Sequence, residues 1–409
     1  MAQASTSTNT RPPLPIVEFV ILMAFLTSLV ALSIDAMLPA LDVIGAELNS
    51  QSSQQTYLIV SLFFAGMALG QLFFGPFSDA RGRRLTILLG LIIFLLGTLI
   101  CFLSTSMEMI LAGRMIQAFG VSGPRIASMA LIRDLYVGDK MARVMSFITA
   151  IFILVPMVAP LFGQFVMKVF GWRHIFTMFA LVCLVCAIWF FTRQGETLPR
   201  AQRLKFNWRV FAGSLIWLLK HPVVMGATIA MGTIFGAFLA YLSASQSIFQ
   251  SIYDTGESFP LLFALLAFSI GIASVFNGVM VIRLGMTRLI SIASMLTVGF
   301  AIVLVGETLY FEGKPPLPLF VATMFVGFFF IGVLFGNLNS LAMQPVGHIA
   351  GVGAALIGCS NSIIAVPIAL SINSFLNNTI TPIAFGFLCF GSITFLAARF
   401  AIKAERQAN

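Results

Sequence analysis

The feature that most constrains the fold is a series of long apolar runs that repeat along nearly the whole chain. A helix needs about 20 apolar residues to cross the hydrocarbon core of a bilayer. Since 59% of the 409 residues are apolar and only 9% are charged, the chain has too little polar surface for a soluble globule. The sequence therefore predicts an all-α membrane protein with twelve transmembrane helices, near residues 16–40, 55–76, 85–104, 108–131, 143–167, 173–192, 222–249, 259–282, 287–307, 317–343, 350–375 and 380–401.

The basic residues indicate how these helices are oriented. If the N-terminus is cytoplasmic, 18 of the 23 lysines and arginines fall in cytoplasmic segments, as the positive-inside rule requires. Both termini are therefore predicted to be cytoplasmic. Topology also accounts for the net charge of +9, so nucleic acid is not expected as a partner.

The longest polar connection divides the runs into two sets of six. Short basic turns stand between the second and third runs of each set, at residues 81–84 and 283–288. An internal duplication of this kind predicts two pseudo-symmetric bundles with a substrate site at their interface. The predicted organisation is a disordered cytoplasmic tail at 1–15, an N-terminal six-helix bundle at 16–193, a cytoplasmic linker at 194–221, a C-terminal six-helix bundle at 222–401 and a tail at 402–409.

One carboxylate, Asp35, lies near the outer end of the first run. An unpaired charge within a bilayer costs several kcal/mol, so Asp35 is the candidate proton-binding group. Arg114 lies at nearly the same depth in the fourth run, and the two side chains can pair. Burial favours the neutral form of a carboxyl group and a nearby cation favours the charged form, so such a pair can bind and release a proton. The alternative is a permanent ion pair that only joins two helices.

Polar side chains within the runs indicate a substrate cavity. Many aromatic residues and methionines surround them, which predicts a broad and mainly apolar pocket. For each uncharged candidate, a hydrogen bond between helices is the alternative, and Arg125 can instead extend its side chain to lipid phosphates. The predicted cavity residues are Gln117, Arg125, Tyr241, Gln246 and Asn361.

Signatures of an enzyme or an ATP-driven pump are not found in the sequence. The chain has no glycine-rich phosphate loop ending in Lys-Ser or Lys-Thr. Its three histidines lie in separate predicted loops, and the Cys183 and Cys186 pair lacks the second Cys or His pair of a metal site. We therefore expect no enzyme activity, no metal and no cofactor, with protons as the coupling ion.

Several segments resemble motifs of known transporters. Residues 75–84 (GPFSDARGRR) resemble the loop motif of the major facilitator superfamily, and residues 114–120 (RMIQAFG) resemble its fourth-helix motif. Residues 156–164 (PMVAPLFGQ) resemble the fifth-helix motif of its drug-proton antiporters. The segments at 35–39, 133–136 and 171–173 are similar to the bicyclomycin and chloramphenicol resistance (Bcr/CflA-type) branch.

This resemblance implies a proton-coupled multidrug exporter that works by alternating access in the bacterial cytoplasmic (inner) membrane. Asp35 would bind the proton with Arg114 as its partner. The loop motif would form a cytoplasmic latch between the halves, and the antiporter-type helix motif would act in export. The residues concerned are Gly75, Asp79, Gly82 and Arg83 for the latch and Pro156, Pro160 and Gly163 for the helix motif.

Two departures and two other functions stay open at this point. Ala80 stands where the loop motif has an arginine, and Gln164 replaces the second glycine of a closing pair. The transporter could instead export one metabolite class, such as amino acids or sugars. A membrane sensor or enzyme would need a cytoplasmic domain or a catalytic cluster. The expected partners are small amphipathic drugs or metabolites and the lipid bilayer, and the protein is expected to be a monomer.

Overall fold

A computed structural model describes residues 14–50, 52–136, 139–199, 201, 203 and 208–408. Residues 1–13 of the predicted tail lie outside the described residues, as do residues 200, 202 and 204–207 of the predicted linker. Within the described ranges all regular elements are helical. The prediction of an all-α chain is thus confirmed.

The first half of the chain forms long helices joined by short turns. Its helices are α1 (Ile16–Asp35), the short α2 (Leu41–Glu47), α3 (Ser53–Arg81), α4 (Arg83–Phe102), α5 (Met107–Leu135), α6 (Asp139–Phe170) and α7 (Arg173–Arg193).

A short helix, α8 (Trp208–Lys220), lies in the predicted linker. The second half then repeats the pattern of long helices. These are α9 (Pro222–Gln246), α10 (Phe259–Leu284), α11 (Met286–Tyr310), α12 (Leu317–Met343), α13 (Ala350–Ser374) and α14 (Thr381–Ala408). The final segment, predicted as a tail from residue 402, continues the last helix through Ala408.

Ten helical segments in the described part of the chain are long and apolar enough to cross a membrane. Helix α5, which carries Arg114 and Arg125 along its length, is not among them. Helix α6 contributes only the shorter apolar stretch Leu154–Phe170. The protein is therefore a multi-pass membrane protein by composition, and crossing by α5 and α6 stays a prediction.

Two turns between long helices have glycine in a similar backbone conformation. Gly82 joins α3 to α4 with φ of 102°, and Gly285 joins α10 to α11 with φ of 79°. Both values lie in the region that glycine adopts readily because it has no Cβ. The two turns coincide with the basic turns of the sequence, and the internal duplication stays a prediction.

The two halves meet along paired helices. Helix α3 packs against α13, α6 packs against α10, and α9 contacts the segment after α1. We call the end of the molecule that carries residues 75–84 the motif end. The opposite end, where Pro39 and Gln246 lie, is called the far end. These contacts enclose a cavity between the halves.

Candidate functional site

The cavity between the halves has two adjoining compartments. The central compartment has a volume of about 640 Å³ and the motif-end compartment about 610 Å³. Gln71, Arg125 and Asn361 line both of them. The motif-end compartment continues as far as Asp79 and Arg133, so the cavity reaches from the centre of the molecule to the motif end.

Asp35 faces the central compartment. It is the last residue of α1, is only 5% exposed and belongs to the lining of that compartment. Among the described residues, neither a hydrogen bond nor a salt bridge engages its carboxyl group. Since a buried charge without a partner is costly, this position favours binding of a proton or of a donor group on a ligand.

Arg114 does not pair with Asp35 in the part of the chain that the structure describes. Its Nε donates to the Ile59 carbonyl oxygen at 3.3 Å, and its Nη1 donates to Gln117 Oε1 at 2.6 Å. The guanidinium carbon lies 4.3 Å from the ring centroid of Phe63, a cation–π contact. These contacts hold the fully buried side chain between α3 and α5, so the pairing expected from equal depth is absent.

Gln117 belongs to the surroundings of Arg114 and not to the cavity. Its Nε2 donates to Thr98 Oγ1 at 2.8 Å while its Oε1 accepts from Arg114, and the side chain is fully buried. The prediction that Gln117 lines the cavity is therefore corrected. Residues three apart lie on the same face of a helix, so Gln117 contacts Arg114 instead of the cavity.

Arg125 lines both compartments with an exposed side chain. Its Nη1 donates to Met67 Sδ at 3.2 Å, and a thioether sulfur is a weak acceptor. The alternative in which this arginine reaches the lipid phosphates does not describe the structure, because the side chain lies in the cavity.

The second half contributes an aromatic wall, which consists of Phe235, Phe238, Tyr241, Phe328 and Phe335. Their rings contact one another: the Tyr241 and Phe328 centroids are 4.9 Å apart, and those of Phe238 and Phe335 are 6.0 Å apart. All five residues line the central compartment. Such rings offer a large apolar surface that accepts varied planar groups.

Two buried polar atoms beside the aromatic wall have no partner in the described structure. They are the hydroxyl of Tyr241 and the Oδ1 of Asn361, and both residues line the central compartment. Buried polar groups are normally hydrogen-bonded, so these two atoms are available to a bound molecule.

Gln246 joins the halves at the far end. Its Nε2 donates to the Pro39 carbonyl oxygen at 2.9 Å, and its Oε1 accepts from the backbone N–H of Asp42 at 3.2 Å. A salt bridge of 2.5 Å between Lys168 and Glu257 also crosses between the halves. The prediction that Gln246 lines the cavity is corrected, because its amide satisfies backbone groups that follow α1.

The antiporter-type motif packs against the end of α1. Pro156 lines the central compartment, Pro160 is buried, and α6 stays helical through both prolines. At Gly163, a Cβ would collide with the backbone carbonyl of Ala36, the residue after Asp35. This glycine therefore permits close approach of α6 to the position that carries the carboxyl group.

The loop motif forms a charged network with residues of the first half and of the predicted linker. Arg83 Nη1 binds Asp79 at 2.6 Å, and its Nε binds Asp134 at 2.9 Å. Glu196 accepts from the backbone N–H groups of Arg83 at 3.0 Å and Arg84 at 3.1 Å. The described contacts of Asp79 and Arg83 thus do not reach the second half, so they do not form a latch between the halves here.

Gly75 and Gly82 make different contacts within this motif. A Cβ at Gly75 would be 3.0 Å from the Cβ of Ala355, so Gly75 permits close packing of α3 on α13. A Cβ at Gly82 would meet the carboxylate of Glu196 at 2.5 Å. Each glycine makes room for a neighbouring segment.

Sequence reasoning missed Glu196 and the role of Asp134. Asp134 lies in a segment that resembles a family motif, although its ion pair with Arg83 depends on the packing of α5 against α4. Glu196 lies 113 residues from Arg83 in the chain. A single sequence holds no signal for a contact of this separation.

Comparison with known proteins agrees with this architecture. The sequence model described as Major Facilitator Superfamily matches residues 23–370. The chain is 31% identical to a "Bicyclomycin resistance protein homolog" of Haemophilus influenzae over 83% of this chain and 85% of that protein. It is 28% identical to the "Multidrug resistance protein MdtL" of Citrobacter koseri, over 83% and 85% of the two chains.

A solved structure shares the fold at low identity. The crystal structure of a D-xylose-proton symporter superposes with a TM-score of 0.74 and 14% identity, covering 94% of this chain and 97% of that chain. At this identity the likeness shows the arrangement of helices and nothing about the transported compound.

Proposed function

Because the chain belongs to the Major Facilitator Superfamily, we propose that it is a proton-coupled antiporter that exports amphipathic drugs by alternating access. The proposal places twelve spans in the bacterial inner membrane, with both termini in the cytoplasm. The protein acts as a monomer and uses protons as its coupling ion. The names of two relatives, which refer to bicyclomycin resistance and multidrug resistance, support drugs as the exported class.

One observation carries this proposal: the carboxyl group of Asp35 faces a cavity between the two halves without a partner among the described residues. A carboxyl group in a low-dielectric cavity binds a proton readily and releases it when its surroundings become more polar. Exchange of a proton for a substrate then needs only that both compete for the same group.

The distribution of contacts supports an inward-facing state. The far end is closed by Gln246 and by the Lys168–Glu257 salt bridge, whereas the cavity continues to the motif end. With the motif end in the cytoplasm, substrate would enter from the inside. Release on the other side would require the far-end contacts to break, because these contacts close that end.

Arg114 acts in this proposal as a buried positive charge that biases the protonation of the site. Its Nη2 has no hydrogen-bond partner in the described structure. A fixed cation at this depth favours the charged form of a carboxyl group that approaches it. The transition between inward-facing and outward-facing states would change the distance between Arg114 and the carboxyl group.

The test is substrate-driven proton movement in vesicles that contain the purified protein. Asp35→Asn should abolish proton release on addition of drug and the dependence of drug export on the pH gradient. Asp254→Asn is the matched control, because Asp254 lies exposed at the far end with φ of 53°, which asparagine tolerates. Normal coupling in Asp35→Asn would overturn the role of Asp35, and absence of drug-driven proton movement in the parent would overturn proton antiport. Export restricted to one amino acid or sugar would overturn the drug assignment.

A further inference from the structure

The two halves contribute opposite chemistry to the central compartment. All charged residues that line it in the described structure come from the first half, and they are Asp35 and Arg125. The second half supplies the aromatic wall, with Phe64 of α3 beside it at 5.2 Å from Phe235. A bound molecule therefore contacts a carboxyl group and a guanidinium group on one side and aromatic rings on the other.

The charged side is also ordered along the cavity. Arg125 lines both compartments, whereas Asp35 lines only the central one and stands at the end of α1. No salt bridge joins these two side chains in the part of the chain described. The positive group thus lies toward the motif end and the negative group toward the far end, each accessible to a ligand.

The guanidinium of Arg125 retains most of its hydrogen-bonding capacity. It carries five N–H donors, and the described contact uses one of them on the sulfur of Met67. The acidic residue that lines the motif-end compartment, Asp79, is already bound to Arg83 at 2.6 Å. The remaining donors can bind oxygen acceptors of a compound in the cavity, and hydrogen bonds from a charged donor are among the strong ones.

The positive charge of Arg125 also disfavours the binding of permanent cations. If Asp35 is protonated the central compartment is positive, and if Asp35 is ionised the compartment is neutral overall. The central compartment is net negative in neither state, so its net charge does not attract a permanent cation. A repulsion between unit charges about 6 Å apart in partly polar surroundings weakens binding roughly 100-fold.

We propose that Arg125 determines substrate specificity: the cavity takes neutral or zwitterionic aromatic compounds whose acceptor oxygens meet Arg125, and it rejects lipophilic monocations. The inference rests on the proposed export function for its physiological meaning. The rings of the compound lie on the aromatic wall, its acceptor faces the motif end and its donor faces Asp35. The unpaired hydroxyl of Tyr241 and the Oδ1 of Asn361 add one hydrogen bond each.

Equilibrium binding to the purified protein in lipid nanodiscs, without a proton gradient, tests this inference. The probes are chloramphenicol, a neutral nitroaromatic amide, and tetraphenylphosphonium, a lipophilic monocation. The parent should bind the cation at least roughly 10-fold more weakly than the neutral probe, and Arg125→Gln should reverse this order. Arg288→Gln is the control, because Arg288 is exposed, lines neither compartment and should leave the order unchanged.

A second variant separates the effect of charge from that of hydrogen-bond geometry. It also keeps the inference testable if Arg125→Gln does not fold. Arg125→Lys keeps the positive charge but loses the planar fork of donors, so it should still reject the cation while it binds the neutral probe more weakly. Three results would overturn the inference: comparable binding of both probes by the parent, binding of neither, or no gain of cation binding in Arg125→Gln. The binding measurement needs no proton gradient, so it is independent of the export assay. If the binding pattern is as expected but proton-driven export is absent, only the proposed export function is contradicted.

Discussion

Gly163 of α6 packs directly on the carbonyl oxygen of Ala36, so the helix that carries the antiporter-type motif touches the residue next to Asp35. An added methyl group here has no space, because the facing atoms belong to the backbone. The position of the carboxyl group therefore depends on a contact that only glycine permits.

The first prediction concerns this contact. Gly163→Ala should displace α6 or the end of α1, because overpacking of a tight interface costs about 1–3 kcal/mol. We expect a lower midpoint of thermal unfolding and loss of proton-coupled transport. Gly299→Ala in α11 is the control, since a Cβ there meets no atom within 4 Å. Equal behaviour of the two variants would contradict the role of the contact.

The second prediction concerns the shape of the cation at position 114. Arg114→Lys should fail to restore coupling, because an ammonium group cannot bond to Ile59 and Gln117 while it stacks on Phe63 as a planar guanidinium does. Drug-induced proton release in vesicles measures the effect. Arg173→Lys, which changes an arginine at a different and partly exposed site, is the matched control. Full coupling in Arg114→Lys would show that charge alone is sufficient.

The third prediction concerns the far-end closure. Gln246→Leu removes two hydrogen bonds between the halves, which are worth roughly 1 kcal/mol each. The ratio of open to closed far ends should therefore rise roughly 30-fold for a total of about 2 kcal/mol, since 1.4 kcal/mol corresponds to a factor of ten. Pulsed electron paramagnetic resonance between spin labels on α1 and α9 reports the distance.

Gln250→Leu is the control for that experiment. Gln250 contacts Gln246 and the Gly256 carbonyl, both in the second half, so its loss leaves the two bonds between the halves in place. A distance distribution in Gln246→Leu that equals the control would show that other contacts close the far end.

The fourth prediction concerns the cap of α4. Glu196→Ala should lower thermal stability, because its carboxylate satisfies two backbone N–H groups at the positive end of that helix. The expected cost is about 1–3 kcal/mol. Glu196→Gln should lose less, since one amide oxygen remains as an acceptor. Glu312→Gln, at an exposed turn, should leave the unfolding midpoint unchanged and serves as the control.

Much of the helical fold could be predicted from the sequence, because apolar runs long enough for a membrane have few alternatives. The matching turns at Gly82 and Gly285 follow from local backbone preference, which a sequence expresses directly. The start of α5 is likewise local, since Ser106 accepts from the backbone N–H of Met109 at 3.2 Å.

The candidate site was predictable only in part. Equal depth suggested a pair between Asp35 and Arg114, but depth does not define the rotation of a helix about its axis. That rotation places Arg114 against Phe63 and Gln117, and it places Arg125 in the cavity. A polar residue within an apolar run predicts a cavity position for Gln246, but helix rotation instead directs its amide to backbone atoms after α1.

The separation of charges on one half and rings on the other has a consequence for how resistance would evolve in this chain. Substitutions on α9 and α12 can reshape the aromatic wall without touching Asp35. Selection by a new compound can therefore act on one half while energy coupling is preserved by the other. An internal duplication would thereby free one copy to diversify, and laboratory selection should collect its compound-range substitutions around Phe238 and Phe328.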